Sequence, residues 1–234
     1  MTYTPTGVVR DGRSGLRTML AGLLAGVSML LGATASMAQA PADMASEQVL
    51  RMGMPYEPPR ISAYGDLGAA NFFVFTLIHR GLVSFDAQDQ LENALAESID
   101  TTDQQTFVVT LREGLKFSDG TPITTANVQA SLLHWAKPEV ASHAYAGMKD
   151  IDTIEVTDDR VLTIRLKQVN ASFLEYLADP AAAIMPDAAL ADGNVSAEIG
   201  AGPFRLADWD KGISMTFEKN DNYYDAENVY LERL

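Results

Sequence analysis

The sequence predicts a mixed α/β fold of the α+β kind, and three observations predict it. Strand-like alternation and helical periodicity both occur along the 234 residues, but without a strict β-α-β rhythm. Two pairs of alternating segments are joined by short turns, the pattern of antiparallel hairpins. One stretch, residues 106–128, runs from a strand through a tight turn into a helix.

The first forty residues stand apart. Arg10, Arg13 and Arg17 precede an apolar run over 19–35, and the small residues Ala35-Ser36-Met37-Ala38-Gln39-Ala40 follow. Positive, apolar, then small is the order of a secretory signal peptide, with cleavage expected after Ala38 or Ala42. The run is short and rich in Gly and Ala, which argues against a membrane anchor. Residues 1–40 are therefore expected to be signal peptide and leader.

After the leader, 49–54 reads as a first strand. Residues 55–60, Pro-Tyr-Glu-Pro-Pro-Arg, hold three prolines and form a loop, because proline lacks the N–H donor and fixes φ. Residues 68–78 read as a helix with Phe72, Phe73 and Phe75 in the core, closed by Gly81 in the C-cap role. A short strand at 82–85, a turn at 86–90 and a lead-in at 91–100 follow. Phe107, Val109 and Leu111 alternate with Thr106, Val108 and Thr110, the period of a half-buried strand. Ser118-Asp119-Gly120 is a turn, and Thr124 or Thr125 caps a helix whose Val128, Leu132 and Trp135 share one face. Lys137-Pro138 ends that helix, and 139–148 fits no single pattern. A hairpin follows, with Ile154 and Val156 before the turn and Leu162, Ile164 and Leu166 after it. Residues 171–177 read as a short helix and 181–185 as an apolar strand. A last hairpin places Phe204, Leu206 and Trp209 before Asp210-Lys211-Gly212, and Ile213, Met215 and Phe217 after it.

Composition narrows function by exclusion. Apolar residues make up 47% and charged residues 21%, ordinary for a globular protein. The chain has no cysteine, so disulfides, thiol nucleophiles and thiolate metal sites are excluded. A formal net charge of −14 repels phosphate backbones and argues against nucleic acid as a partner. No His-Glu-x-x-His motif exists, and His79, His134 and His143 are too scattered for a sequence-local metal site. Gly212-Ile213-Ser214-Met215-Thr216 fails the nucleophile-elbow pattern at its last position, and Pro203 spoils Gly200-x-Gly202 as a nucleotide loop. No catalytic residue, metal ligand or cofactor is expected.

Leu111-Arg112-Glu113-Gly114-Leu115-Lys116-Phe117-Ser118-Asp119-Gly120-Thr121-Pro122 resembles a motif of bacterial extracytoplasmic solute-binding proteins of the dipeptide, oligopeptide and nickel family. Three further stretches, in the same order, are similar to that family. They are Leu82–Asp86 with Asn93–Ser98, Gly200-Ala201-Gly202-Pro203, and Glu218-Lys219-Asn220-Asp221-Asn222-Tyr223-Tyr224. Ile99 and Ala201 depart from the family pattern, where tryptophan and threonine are usual. The resemblance implies two lobes that close on a ligand like a clamp. It implies that 43–85 plus 169–234 form an incomplete first lobe and 86–168 an inserted β-rich subdomain, with the second lobe missing.

What the resemblance implies for function is binding: capture of peptides in the periplasm and delivery to ABC permease subunits in the inner membrane, as a monomer. Tyr56, Glu57, Arg60 and Tyr64 lie in a loop that faces ligand in the family, and aromatic faces with one cation suit a peptide backbone and its carboxylate. His143-Ala144-Tyr145 is similar to a triplet lining the cleft of nickel-binding relatives. The absence of arginine between Arg165 and Arg205 argues against a nickel chelate. The acidic group that meets a peptide's amino terminus belongs to the second lobe, so this chain alone is expected to bind weakly or not at all. A nickel or metal-chelate binder of the same family, and an exported interaction domain without ligand, are the alternatives.

Overall fold

The computed structural model describes residues 47–62, 68–191 and 198–234. The signal-peptide expectation at 1–40 falls outside the described residues, as does Tyr64.

The largest sheet is built from the alternation seen around residue 107. Strands β3 (Ala96–Asp100), β4 (Thr106–Leu111), β5 (Ile151–Val156) and β6 (Val161–Leu166) form a four-stranded antiparallel sheet in the order β3-β4-β6-β5. It follows in the chain a small pairing of β1 (Val83–Phe85) with β2 (Leu91–Asn93). Phe107, Val109 and Leu111 of β4 face inward, as do Leu162, Ile164 and Leu166 of β6. Phe107 stands opposite Ile164 and Val109 opposite Leu162, so two alternating apolar rows become one buried face. Val156 shares its predicted face with Ile154 but lies at the sheet's end, exposed. Thr106, at the start of β4, donates its amide to Asp103 Oδ1 at 2.7 Å, as does Gln105 at 2.9 Å. Those two backbone donors hold the Asp103 carboxyl below the usual carboxylate range.

Helix α2 (Thr125–Trp135) covers this core. Thr124 caps it through Asn127, whose Oδ1 accepts the Thr124 amide at 2.9 Å. Val128, Leu132 and Trp135 are fully buried, each contributing roughly 1.5–3 kcal/mol by leaving water. Two short turns of helix follow: a 3₁₀ turn at Pro138–Val140 and α3 (Tyr145–Met148), which resolve the ambiguous 139–148 stretch. Helix α4 (Phe173–Leu177) buries Phe173 against Phe107, with ring centroids 5.0 Å apart.

Residues 181–185, expected as a strand, are not one. Pro180–Ala182 is a 3₁₀ turn, and 181–185 run buried with no strand paired to them among the described residues. Their backbone groups find side chains instead: Trp135 Nε1 donates to Ala183 O at 2.9 Å, and the Met185 amide donates to Ser131 Oγ at 2.9 Å. The Ile184 amide donates to Arg80 O at 3.0 Å. Helix α2 thus replaces a neighbouring strand as the partner that buried backbone demands. A short helix α5 (Asp187–Ala191), not foreseen, then docks on α2, and Asn127 Nδ2 reaches Asp187 Oδ1 at 3.0 Å.

The last hairpin forms as expected from β7 (Phe204–Asp210) and β8 (Ser214–Lys219), around Gly212 at φ +80°. Helix α1 (Ala69–Ile78) precedes all of these strands in the chain. His79 caps its C-terminus; Gly81 does not, and is tightly packed instead, since a Cβ there would lie 3.0 Å from Leu177 O. The expected first strand shrinks to a single parallel bridge between Val49 and Arg233, because residues 50–54 have no partner strand among the described residues.

Candidate ligand site

The four family-like stretches meet at one place, the C-terminal end of α1. Gly202 donates its amide to Ile78 O at 2.7 Å, and a Cβ there would lie 2.5 Å from Ile78 C. Gly200 is as tight: its Cβ would sit 2.2 Å from Ile78 O. Two glycines are needed because backbone touches backbone. Ser118 of the Ser-Asp-Gly turn donates its amide to Gly200 O at 2.8 Å, and Gly120 completes that turn at φ +87°. Buried Asn220 donates Nδ2 to Gly202 O at 2.8 Å and accepts the Asn222 amide at 3.0 Å. Arg112 donates to Ala94 O at 2.6 Å and to Asn93 O at 3.0 Å, and lies 4.8 Å over the Tyr224 ring. Burial raises the Tyr224 phenol, and the neighbouring Tyr223 raises it further. This knot is scaffold, and it fixes where α1 points.

Helix α1 then serves three surfaces. Val74, Phe75 and Ile78 are buried. Phe72, expected in the core, is 40% exposed and lines one groove with Thr76; Phe73 is half-buried and packs against the core, bordering another groove with Leu77. The helix N-terminus opens on a third.

The loop at 55–60 is held at both ends. Asn71, in the first turn of α1, accepts the Ser62 amide at 3.2 Å and donates to Ser62 O at 2.8 Å. At the other end the Glu57 carboxylate accepts Trp209 Nε1 at 2.6 Å and the Gly212 amide at 3.0 Å. The Gly212 amide, then the Trp209 indole, hold the Glu57 carboxyl below the usual carboxylate range. Glu57 is thus a clamp from the loop to the β7–β8 turn. Between the clamps Pro58 is buried and Arg60 is exposed with no ion-pair partner among the described residues; just before the first clamp, Tyr56 is 74% exposed.

Two grooves flank this loop and share Tyr56, Glu57 and Pro58. The first, of 760 Å³, lies between residues 49–58, Phe73 and Leu77 of α1, residues 212–217, and the chain end at Arg233 and Leu234. The second, of 600 Å³, lies between Tyr56–Arg60 and the first turn of α1, Gly68 to Asn71. The N-cap, Gly68, has no side chain to cap the first helical amides, no capping side chain occurs among the described residues, and the first turn carries no acidic residue. Arg60 and a helix N-terminus thus present positive character to one space.

His143 and Tyr145 lie elsewhere. His143 Nδ1 is 3.0 Å from Asp179 Oδ2, and Asp179 lines the third groove, of 420 Å³, on the Phe72 side of α1. None of the three grooves is lined by both the Tyr56–Arg60 loop and the 143–145 triplet. No group of three or more His, Asp or Glu side chains able to hold a metal ion occurs among the described residues. None of the helices described is long and apolar enough to cross a membrane. Asn71, Trp209 and Gly212 escape notice in the sequence because their partners are distant in the chain. Only the side-chain amide in the first turn after a proline-rich loop hints at the clamp.

The family model for bacterial extracellular solute-binding proteins, family 5, matches residues 90–234. The glutathione-binding protein GsiB of Pectobacterium atrosepticum is 31% identical over 207 residues, covering 87% of this chain and 40% of that protein. The binding protein AgaA of A. tumefaciens R10, solved with agropinic acid, superposes with a TM-score of 0.71 at 33% identity, over 76% of this chain and 37% of that one. NikZ from Campylobacter jejuni, solved with Ni(L-His), gives 0.69 at 26% identity, over 80% and 38%. The chain spans about two fifths of the length of these proteins and belongs to the bacterial extracellular solute-binding proteins, family 5.

Proposed function

We propose that this chain is the first-lobe part of a periplasmic solute receptor that serves an ABC permease, and that its own share of the ligand site is the groove between Tyr56–Arg60 and the start of α1. The observation that carries the reading is that groove's wall: a guanidinium without an ion-pair partner among the described residues, an exposed aromatic ring and the start of a ten-residue helix whose N-cap is a glycine share it. Such a wall suits a carboxylate next to an amide or an apolar group, which is the chemistry of a peptide. The named ligands of the similar proteins, glutathione, agropinic acid and nickel with L-histidine, are all carboxylate-bearing small solutes. Peptide is the reading preferred here. Residues 86–168 are taken as the inserted subdomain, which lends Arg112 and Ser118 to the knot and none of the lining of this groove.

The test is isothermal calorimetry and amide NMR of the chain from Gln39 onward against di- and tripeptides. Weak, carboxylate-dependent shifts at Arg60 and in the first turn of α1 are expected. They are expected to be lost in Arg60→Ala and reduced in Tyr56→Ala. Shifts that survive both substitutions would overturn the assignment, and sub-micromolar binding would show that a second lobe is dispensable. A nickel-chelate reading rests on His143 beside Tyr145. Titration with nickel plus histidine, read by tyrosine fluorescence, separates it from the peptide reading.

A further inference from the structure

The groove between Tyr56–Arg60 and the start of α1 carries an anion of its own. Among its described lining residues Glu57 is the one acid and Arg60 the one base. Three residues of extended chain span at most about 11 Å, a gap that a glutamate and an arginine side chain close between them. Pro58 and Pro59, which separate the two, offer no N–H to occupy the carboxylate. An exposed carboxylate so near a guanidinium is expected to pair with it. Arg60 nevertheless has no ion-pair partner among the described residues.

The β7–β8 turn takes the carboxylate instead. Trp209 Nε1 donates to Glu57 Oε1 at 2.6 Å, and the Gly212 amide donates to Oε1 and to Oε2, at 3.0 Å each. Both carboxylate oxygens are thus occupied by donors more than 150 residues away in the chain. Lys211, between the two donors, sets its ammonium 5.2 Å over the Trp209 ring, so the carboxylate is drawn to where a positive charge already stands. Tethering the loop does not require a charge: at its other end Ser62 and Asn71 do so with two neutral hydrogen bonds.

We infer that Glu57 is a built-in competitor for the solute groove, and that the turn at 209–212 sets the groove's specificity by holding that carboxylate off Arg60. With Glu57 clamped, the groove presents a cation without a counter-charge and selects solutes that bear a free carboxylate. With Glu57 released, its own carboxylate takes Arg60 and such solutes are refused. Trp209 is then a positioning residue for a ligand it does not touch, since it is absent from the groove's lining. The identity of the refused solute rests on the reading above of this groove as a solute site.

The experiment introduces Trp209→Phe into the full chain, which keeps a ring and removes the indole N–H, alone and together with Glu57→Gln. Phenylglyoxal labelling of Arg60 is followed by mass spectrometry. Amide NMR titrations use glycyl-leucine and glycyl-leucinamide, which differ only in the carboxylate. In Trp209→Phe the labelling of Arg60 is expected to slow by at least about threefold and the affinity for glycyl-leucine to fall by a similar factor, because only molecules with Arg60 unpaired are competent to bind. Affinity for the amide is expected to hold. Adding Glu57→Gln is expected to return both readouts to the parent's values, which the loss of a merely structural support would not allow. Unchanged labelling in Trp209→Phe, or a loss that Glu57→Gln does not restore, would overturn the inference. Slowed and restored labelling in a protein whose parent binds the two peptides alike would overturn the solute reading and leave the competition for Arg60 standing.

Discussion

The knot at the end of α1 and the loop at 55–60 sit at opposite ends of one ten-residue helix, and they differ in every physical respect. In the knot, backbone meets backbone: Gly200 and Gly202 abut Ile78, and buried Asn220 closes the gap. In the loop, Pro55 and Pro59 are exposed while Pro58 is buried, and among the described residues Glu57 and the Ser62–Asn71 pair tie it down. The knot tolerates almost no atom more or less; the loop tolerates many. The residues that identify the family are therefore those that set the frame, while those offered to a ligand are exposed, few and generic in type.

The largest way to break this contrast is Gly202→Ala. A Cβ 2.5 Å from backbone carbon cannot be accommodated by a rotamer change, and a loss of at least about 3 kcal/mol is expected in urea denaturation. Gly53→Ala is the control, since nothing lies within 4 Å of its Cβ; equal losses in the two would erase the distinction between knot and loop side. Next comes Asn220→Ala, which strips a buried amide from Gly202 O and is expected to cost about 1–3 kcal/mol by the same measurement.

The loop clamp is expected to be a local device. Glu57→Gln should leave the urea midpoint in place while speeding hydrogen exchange at the Gly212 amide. The sign of its pH dependence follows from the depressed carboxyl. The folded value lies below the ordinary one, so the clamp is complete above the usual carboxylate range. It is lost as pH falls through the folded value. Gly212 protection should therefore fall on acidification below about pH 4.5, and Glu57→Gln should flatten that profile. The smallest stability effect belongs to Arg60→Ala, expected within about 0.5 kcal/mol of the parent because Arg60 contacts no described charge. A larger loss would place Arg60 in the scaffold and remove it from the ligand wall.

Much of this was legible in the chain. The alternation of Phe107, Val109 and Leu111, the helical face of Val128, Leu132 and Trp135, and both hairpins appear where short-range periodicity put them. These signals need only neighbours along the chain. Where a segment's partner is remote, the reading failed. Apolar 181–185 resembled a strand, but the side chains of Trp135 and Ser131 satisfy it. Residues 49–54 resembled one too, yet only Val49 finds a partner, at Arg233. Phe72 passed for core because periodicity reports that a face is apolar, not that something covers it.

Sequence alone determined the family, the loop that carries Tyr56, Glu57 and Arg60, and the absence of cysteine chemistry, because motifs and composition are properties of the chain itself. Tertiary structure alone decided that Glu57 serves the β7–β8 turn, that Arg60 shares a groove with the start of α1, and that His143 faces Asp179 on another side of the helix. Those outcomes depend on contacts between residues far apart in sequence, and such contacts exist only once the chain has closed its loops and chosen which polar groups satisfy one another.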